Sequence, residues 1–170
     1  MSSITLRDAA VAATYLGPAI ALPTAGAILC LSYYAVPIIR STSTELSTKV
    51  ALHQLRSLFS SGSHVFPPAA FAATSCYALA AYAIPSKRLG YILAAAGCIG
   101  IAPFTTMVMV PVVNGRLIEL DEKAKRGGIQ GEKASPEVDT LLKTFERVNA
   151  VRAGIMAVGG LTGLYMLMAW

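Results

Sequence analysis

The chain has 170 residues, of which 55% are hydrophobic and only 14% are charged. Because soluble globular proteins carry about 25% charged residues, this composition excludes an ordinary soluble domain. The formal net charge of +5 does not indicate a nucleic-acid partner, since the basic residues are scattered among acids in the loops without interleaved aromatic residues. The positive balance fits a preference for the anionic lipids of a bilayer surface.

Four stretches are apolar and nearly free of charge, at about residues 15–39, 65–85, 89–113 and 151–170. A membrane-spanning helix needs roughly 20 mostly apolar residues, so these stretches leave little material for a soluble domain. The uncharged core of the first stretch is too long for a secretory signal peptide. We therefore predict an all-α membrane protein, a four-transmembrane-helix bundle that forms a single integral membrane domain over residues 1–170.

The lysine and arginine residues predict how these spans are oriented. Three of the 14 lie at the N-terminus or between spans two and three, and the remaining eleven lie in the two larger loops. Cytoplasmic loops carry an excess of Lys and Arg. We therefore expect a multi-pass protein with both larger loops in the cytoplasm and both termini on the opposite side.

The first two helical patterns outside the spans predict cytoplasmic extensions of the bundle. Residues 45–58 place apolar side chains near helical spacing, which indicates either a short amphipathic helix at the interface or an extension of span two. Residues 117–126 indicate a polar extension of span three, and Gly127 with Gly128 is expected to end it.

A third pattern precedes span four. Ser135, Pro136 and Glu137 are typical of a helix start, with a hydroxyl cap, a proline at the first helical position and an acid in the first turn. From there a helix can run unbroken into span four.

Residues 102–116, APFTTMVMVPVVNGR, contain two prolines that a simple span would not need. Each proline frees a backbone carbonyl one turn back, and a similar Val-Pro pair at Pro37 closes span one. Prolines are tolerated near the ends of spans, so they could shape the helix end or help to open a pocket. Thr106, Val110 and Asn114 are four residues apart and are expected to share a face, with Asn114 facing such a pocket.

Polar side chains are predicted to meet at the cytoplasmic end of the bundle. Asn149 and Arg152 are three residues apart on the helix that enters span four, and Phe145 precedes Asn149 by one turn. When the four spans pack together, these residues are expected at the same level of the membrane as Asn114, Arg40 and His64. His53 is expected nearby if the amphipathic helix folds over the bundle.

Structural roles for these residues remain open. Arg152 could reach lipid phosphate, the two asparagines could bond between helices or cap them, and both histidines could be solvated. An ionisable group inside the apolar boundary is nevertheless a functional candidate.

The cysteines and histidines do not predict a disulfide or a metal site. Cys30, Cys76 and Cys98 lie far apart within apolar stretches, as expected of buried thiols. His53 and His64 are eleven residues apart, and the spans contain no acid. No phosphate-binding glycine loop or nucleotide fingerprint is present, so a redox cofactor would be absent, shared or unusual.

Three segments together resemble the anthrone oxygenase family: GSHVFPP before span two, IAPFTTMVMVPVVNGRL through span three and FERVNAVRAGIMAVGGLTGLYML entering span four. Members of this family are small four-helix membrane proteins found with fungal aromatic polyketide pathways. The resemblance covers nearly the whole chain in order. Members often carry a tryptophan where this chain has Phe145.

The resemblance implies a membrane monooxygenase of secondary metabolism that converts an anthrone to an anthraquinone with molecular oxygen and needs no flavin or metal. The flat hydrophobic substrate would enter sideways from the lipid. His64, or else His53, would be the base, and Asn114, Asn149 and Arg152 would hold the oxyanion or peroxide. Thr106 would orient the substrate phenol, and the remaining substrate-binding candidates are Phe145, Arg40 and His53.

Two other functions stay open at this point. A non-catalytic membrane protein that binds a hydrophobic small molecule, or escorts a partner enzyme, would use the same apolar slot. A metal or haem oxygenase could also be hidden in so small a bundle. The chain could assemble as a homo-oligomer in any of these cases.

Overall fold

The computed structural model describes residues 5–45, 47–127 and 135–169, and every regular element within these ranges is helical. The α-helices are α1 (Leu6–Cys30), α2 (Val36–Glu45), α3 (Thr48–Ala83), α4 (Arg88–Ile99), α5 (Ile101–Phe104), α6 (Gly115–Lys125) and α7 (Pro136–Met168). A first π-helical segment, Leu31–Ala35, joins α1 to α2, and a second, Thr105–Asn114, joins α5 to α6. A 3₁₀ turn, Pro85–Lys87, precedes α4.

Three helical stretches among the described residues are long and apolar enough to cross a membrane: Leu6–Ser43, Pro85–Lys125 and Pro136–Met168. They contain the predicted spans one and three and residues 151–168 of span four, and they support an integral membrane location. The predicted span 65–85 lies mostly in α3, which is not one of the three. Its apolar part stops at Ala83, and its first half carries basic and hydroxyl side chains, so a fourth span stays a prediction.

The helices outside the predicted spans have clear boundaries. Helix α3 begins at Thr48 and runs without a break to Ala83, so the amphipathic pattern described from Thr48 onward belongs to the same helix as span two; Leu46 lies outside the described residues. Helix α6 ends at Lys125, and Gly127 follows with φ of 80°, a left-handed conformation that favours glycine. Gly128 lies outside the described residues.

Helix α7 begins at Pro136, as its sequence predicts, and continues to Met168. Glu137 and Asp139 lie in its first turn, where negative charge is favourable next to the helix N-terminus.

Pro37 and Pro111 lie next to or within π-helical turns, and helix does not stop at them; Pro18 and Pro23 lie within α1. In the first π segment the Val36 N–H donates to the Leu31 carbonyl, and at the end of the second the Gly115 N–H donates to the Val110 carbonyl. A proline crowds the carbonyl four residues earlier. The wider i→i−5 turn relieves this crowding, which explains why π geometry occurs beside Pro37 and around Pro111.

The π geometry also changes which side chains share a face. Thr106 and Val110 are exposed and Asn114 is half-buried, and the shared face expected from α-helical spacing stays a prediction. The buried side chains of this stretch are Met109 and Val113 instead.

The described chain divides into two compact units. The first unit comprises residues 5–27, Phe66–Ala102 and residues 152–169, and the second comprises the described residues of Ile28–Val65 and Pro103–Val151. The apolar core of the second unit includes Val36, Leu52, Leu55, Met109, Val113, Leu117, Val138, Leu142 and Phe145. A single domain over the whole chain stays a prediction.

The first unit depends on close approach between helix backbones. A Cβ atom on Gly97 of α4 would lie 2.7 Å from the Gly159 Cα on α7. Small residues allow such contacts in membrane proteins, where dispersion between helices replaces the hydrophobic effect. Glycine therefore fixes the spacing of α4 and α7.

Gly159→Ala should destabilise the first unit, whereas Gly154→Ala on the same helix should not. A Cβ at position 159 would lie 2.8 Å from both the Ala94 carbonyl oxygen and the Cys98 nitrogen, while one at position 154 meets nothing within 4 Å. Alanine favours a helix over glycine by roughly 0.5–1 kcal/mol. Thermal unfolding in detergent should show a lower midpoint for Gly159→Ala only, and equal midpoints would contradict the close packing.

Candidate functional site

Asn149 is a buried interhelical hydrogen-bond partner. Its side chain is 1% exposed, and its Nδ2 donates to the Ile28 carbonyl oxygen at 3.1 Å and to the Ser32 Oγ at 3.0 Å. Because a carbonyl oxygen can only accept, the bond to Ile28 settles the orientation of the amide, and the two bonds use both of its N–H groups. Asn149 therefore joins α7 to the end of α1 and the first π segment, and its donors are occupied.

Arg40 is held between two acids of α7. Its Nε lies 3.0 Å from the Asp139 carboxylate and its Nη1 lies 3.6 Å from that of Glu146, while Lys143 also binds Asp139 at 2.8 Å. These side chains are partly buried except for Lys143, so their attraction exceeds that of a fully exposed pair. Contact between Arg40 and a substrate would compete with this network.

Asn114 offers an unpaired polar atom in the second unit. The residue is half-buried at the end of the second π segment, and its Oδ1 is buried without a hydrogen-bond partner among the described residues. A buried polar atom without a partner costs on the order of 1–3 kcal/mol and is uncommon in native structures. Asn114 can thus bind a hydroxyl group of a ligand.

Two predicted substrate contacts have other neighbours in the structure. Thr106 is exposed, and its hydroxyl donates to the Pro103 carbonyl at 3.2 Å. Phe145 is 4% exposed and belongs to the core of the second unit, where its ring centroid lies 5.1 Å from that of Phe59. Both roles in substrate binding stay predictions.

The two histidines are both exposed on α3. The His64 Nδ1 lies 2.7 Å from the Ser60 carbonyl oxygen. Since that oxygen can only accept, Nδ1 carries the proton and the neutral ring keeps its lone pair on Nε2. His53 lies on a basic face with Lys49 and Arg56, at spacings of one helical turn. Within the described ranges, no three His, Cys, Asp or Glu side chains form a group that could hold a metal ion.

Arg152 combines a buried donor with an aromatic neighbour in the first unit. Its Nε is buried and has no hydrogen-bond partner among the described residues, and its Cζ lies 5.4 Å from the ring centroid of Phe66. An arginine over an aromatic face is attracted by the electrons of the ring. The Nε–H of Arg152 is therefore available to a negatively charged group in apolar surroundings.

Sequence reasoning missed several polar residues. Ser32 could not be identified from the sequence, because only the fold brings its hydroxyl within hydrogen-bonding distance of Asn149. The Tyr77 and Tyr91 hydroxyls are buried without partners in the part of the chain that the structure describes. The sequence feature that could have pointed to them is a tyrosine hydroxyl within an uncharged, apolar stretch. The second unit contains the other predicted site residues, whereas Arg152 belongs to the first.

A family model described as "Anthrone oxygenase" matches residues 55–162, which is more than half of the chain. The matched range includes His64, Asn114, Asn149 and Arg152 and ends within α7. No curated protein and no solved structure matches the chain.

Asn149→Ala should lower stability, whereas Asn114→Ala should not. The first change removes two buried hydrogen bonds, which corresponds to a loss of about 1–3 kcal/mol. The second removes an unpaired buried oxygen, so the free energy of unfolding should stay the same or rise. Unfolding of both variants in the same detergent compares their free energies of unfolding. An equal loss in both would contradict the different roles given to Asn149 and Asn114.

Proposed function

Because the chain belongs to the anthrone oxygenase family, we propose that it converts an anthrone to an anthraquinone with molecular oxygen in aromatic polyketide biosynthesis. The family match over residues 55–162 carries this proposal. In the reaction, the CH₂ group of the central ring becomes a carbonyl. One atom of dioxygen supplies the carbonyl oxygen, and the other leaves as water with the two hydrogens.

The chemistry of the substrate makes a flavin or metal unnecessary. Removal of one CH₂ proton gives a delocalised anion that can transfer an electron to oxygen, and recombination gives a hydroperoxide at the same carbon. Loss of the second proton breaks the O–O bond, forms the carbonyl and releases hydroxide. All four electrons that reduce dioxygen come from the CH₂ carbon of the substrate, so we propose molecular oxygen as the co-substrate and no other cofactor.

His64 is our proposed base. The bond between its Nδ1 and the Ser60 carbonyl leaves the Nε2 lone pair to accept the proton. Its exposure gives the proton a route to water. His53 is the alternative base, since it is also exposed on α3.

Arg152 is our proposed donor to the negative charge that develops on the substrate. A donor that is already out of water needs little reorganisation when charge appears and acts more strongly at low dielectric. Asn114 would accept a hydrogen bond from a substrate hydroxyl. Asn149 would act as a positioning residue, because its two N–H groups already hold Ile28 and Ser32.

We propose the route of the substrate and the orientation in the membrane from composition and charge. A flat hydrophobic substrate partitions into lipid and would reach the protein from within the bilayer. The larger loops, which hold eleven of the 14 basic residues, would face the cytoplasm, and both termini the opposite side.

Purified protein in lipid nanodiscs should produce quinone absorbance from an anthrone and oxygen faster than the spontaneous reaction, with or without a chelator. Arg152→Gln should lower kcat by roughly 100-fold, the scale expected for one oxyanion donor. Arg147→Gln is the matched control, because Arg147 lies exposed on the same helix. Full activity of Arg152→Gln would remove it from the site, and binding of an anthrone without turnover would favour the non-catalytic function.

His64→Ala should lose most of its activity and recover part of it when imidazole is added, because a small base can replace the missing ring. Arg152→Gln should not respond to imidazole. Rescue of His53→Ala, with His64→Ala fully active, would assign the base to His53. Full activity of both alanine variants would exclude a histidine base.

A further inference from the structure

Two tyrosines in the core of the first unit have hydroxyl groups without an assigned role. Tyr77 of α3 and Tyr91 of α4 are both 0% exposed, and neither hydroxyl has a hydrogen-bond partner among the described residues. Their rings are close to parallel, with an interplanar angle of 21° and centroids 6.4 Å apart. The structure thus holds two phenols side by side, away from solvent.

Such an arrangement is unfavourable for stability. Each buried hydroxyl without a partner costs on the order of 1–3 kcal/mol, whereas phenylalanine would fill almost the same volume without this cost. Tyrosine hydroxyls that are buried usually find a partner. Packing therefore explains the rings but not the hydroxyls.

Two glycines make room for the ring of Tyr77. A Cβ on Gly17 of α1 would lie 2.5 Å from the Tyr77 Cε1, and a Cβ on Gly163 of α7 would overlap both that atom and the hydroxyl oxygen. Glycine inside a helix is itself less favourable than alanine by roughly 0.5–1 kcal/mol. Several unfavourable features thus coincide at one side chain, and such coincidences are typical of functional sites.

We propose that Tyr77 and Tyr91 form an oxyanion-binding site that donates hydrogen bonds to the ketone oxygen of a planar aromatic substrate. This inference rests on the proposed function. When the base removes a CH₂ proton from an anthrone, the charge is delocalised through the ring onto the ketone oxygen, which becomes phenolate-like. Hydroxyl donors already removed from water stabilise that charge without a reorganisation cost.

Tyrosine suits this task better than a stronger acid would. A phenol stays neutral at physiological pH, so it can donate to an incoming oxygen without placing a charge in the apolar core. Its hydroxyl can also accept a hydrogen bond, and the site can therefore bind both the neutral ketone and its anion. The same groups would favour the anion more strongly, because hydrogen bonds to charged acceptors are stronger.

The test replaces each hydroxyl by hydrogen. Tyr77→Phe and Tyr91→Phe should each lower kcat for quinone formation by roughly 10- to 100-fold, while the thermal midpoint in detergent stays the same or rises. Tyr82→Phe is the matched control, because Tyr82 lies on the same helix as Tyr77 and is 70% exposed. Unchanged kcat in both core variants, or a fall in kcat that accompanies a lower midpoint, would overturn the inference.

A binding measurement separates failure of this inference from failure of the proposed function. The probe is 1,8-dihydroxyanthraquinone, titrated into nanodisc-bound protein and followed by its absorbance. The double variant Tyr77→Phe/Tyr91→Phe should raise Kd by about tenfold. If the wild-type protein makes no quinone but this shift occurs, the oxygenase function fails and the binding site stands. If quinone forms and the Phe variants keep both kcat and Kd, the binding site fails and the oxygenase function stands.

Discussion

A polar side chain in an apolar interior must find a hydrogen-bond partner or lower the stability of the fold, and this constraint separates the residues of this protein. Helices satisfy the hydrogen bonds of their own backbone groups, so the polar groups that can lack a partner are mainly those of side chains. Asn149 and Arg40 find partners on neighbouring helical segments, so their polar groups are satisfied within the protein. Tyr77, Tyr91 and Arg152 keep buried polar atoms that have no partner among the residues that the structure describes. Those atoms gain most from a polar ligand, since its binding would remove a cost that the fold carries.

The same constraint acts on the backbone at the prolines. A proline within a helix removes one N–H and crowds a carbonyl, and in an apolar environment a helix break would expose several more groups. Beside Pro37 and around Pro111 the helix forms π turns, Leu31–Ala35 and Thr105–Asn114, where the bonds shift from four residues back to five. Such turns widen a helix locally and are frequent at functional sites. Asn149 binds the first of these segments through Ser32, and Asn114 ends the second.

Local signals were sufficient to predict several parts of the fold from the sequence. Apolar length predicted the helical class, and cap residues predicted the start of α7 at Pro136 and the end of α6 just before Gly127. The π segments were not predicted, because proline indicates that a bond is lost and not which carbonyl replaces it. Periodicity singled out Asn149 but could not find Ser32, which is 117 residues away along the chain. The core tyrosines were missed because tyrosine is counted among the hydrophobic residues of the composition, while its hydroxyl matters only once burial is known.

The proposed reaction needs a base that is exposed to water and hydrogen-bond donors that are shielded from it. The described side chains differ in exposure in the same way. A base must exchange its proton with water between turnovers, and His64 is exposed with a defined tautomer. Donors to a developing anion act more strongly where water is excluded, and the Arg152 Nε is buried with no partner in the described part of the chain. Because the substrate itself supplies all the electrons that reduce dioxygen, the protein needs only to move protons and stabilise charge. Ordinary side chains can do both, so a small helical membrane protein is sufficient for the proposed chemistry.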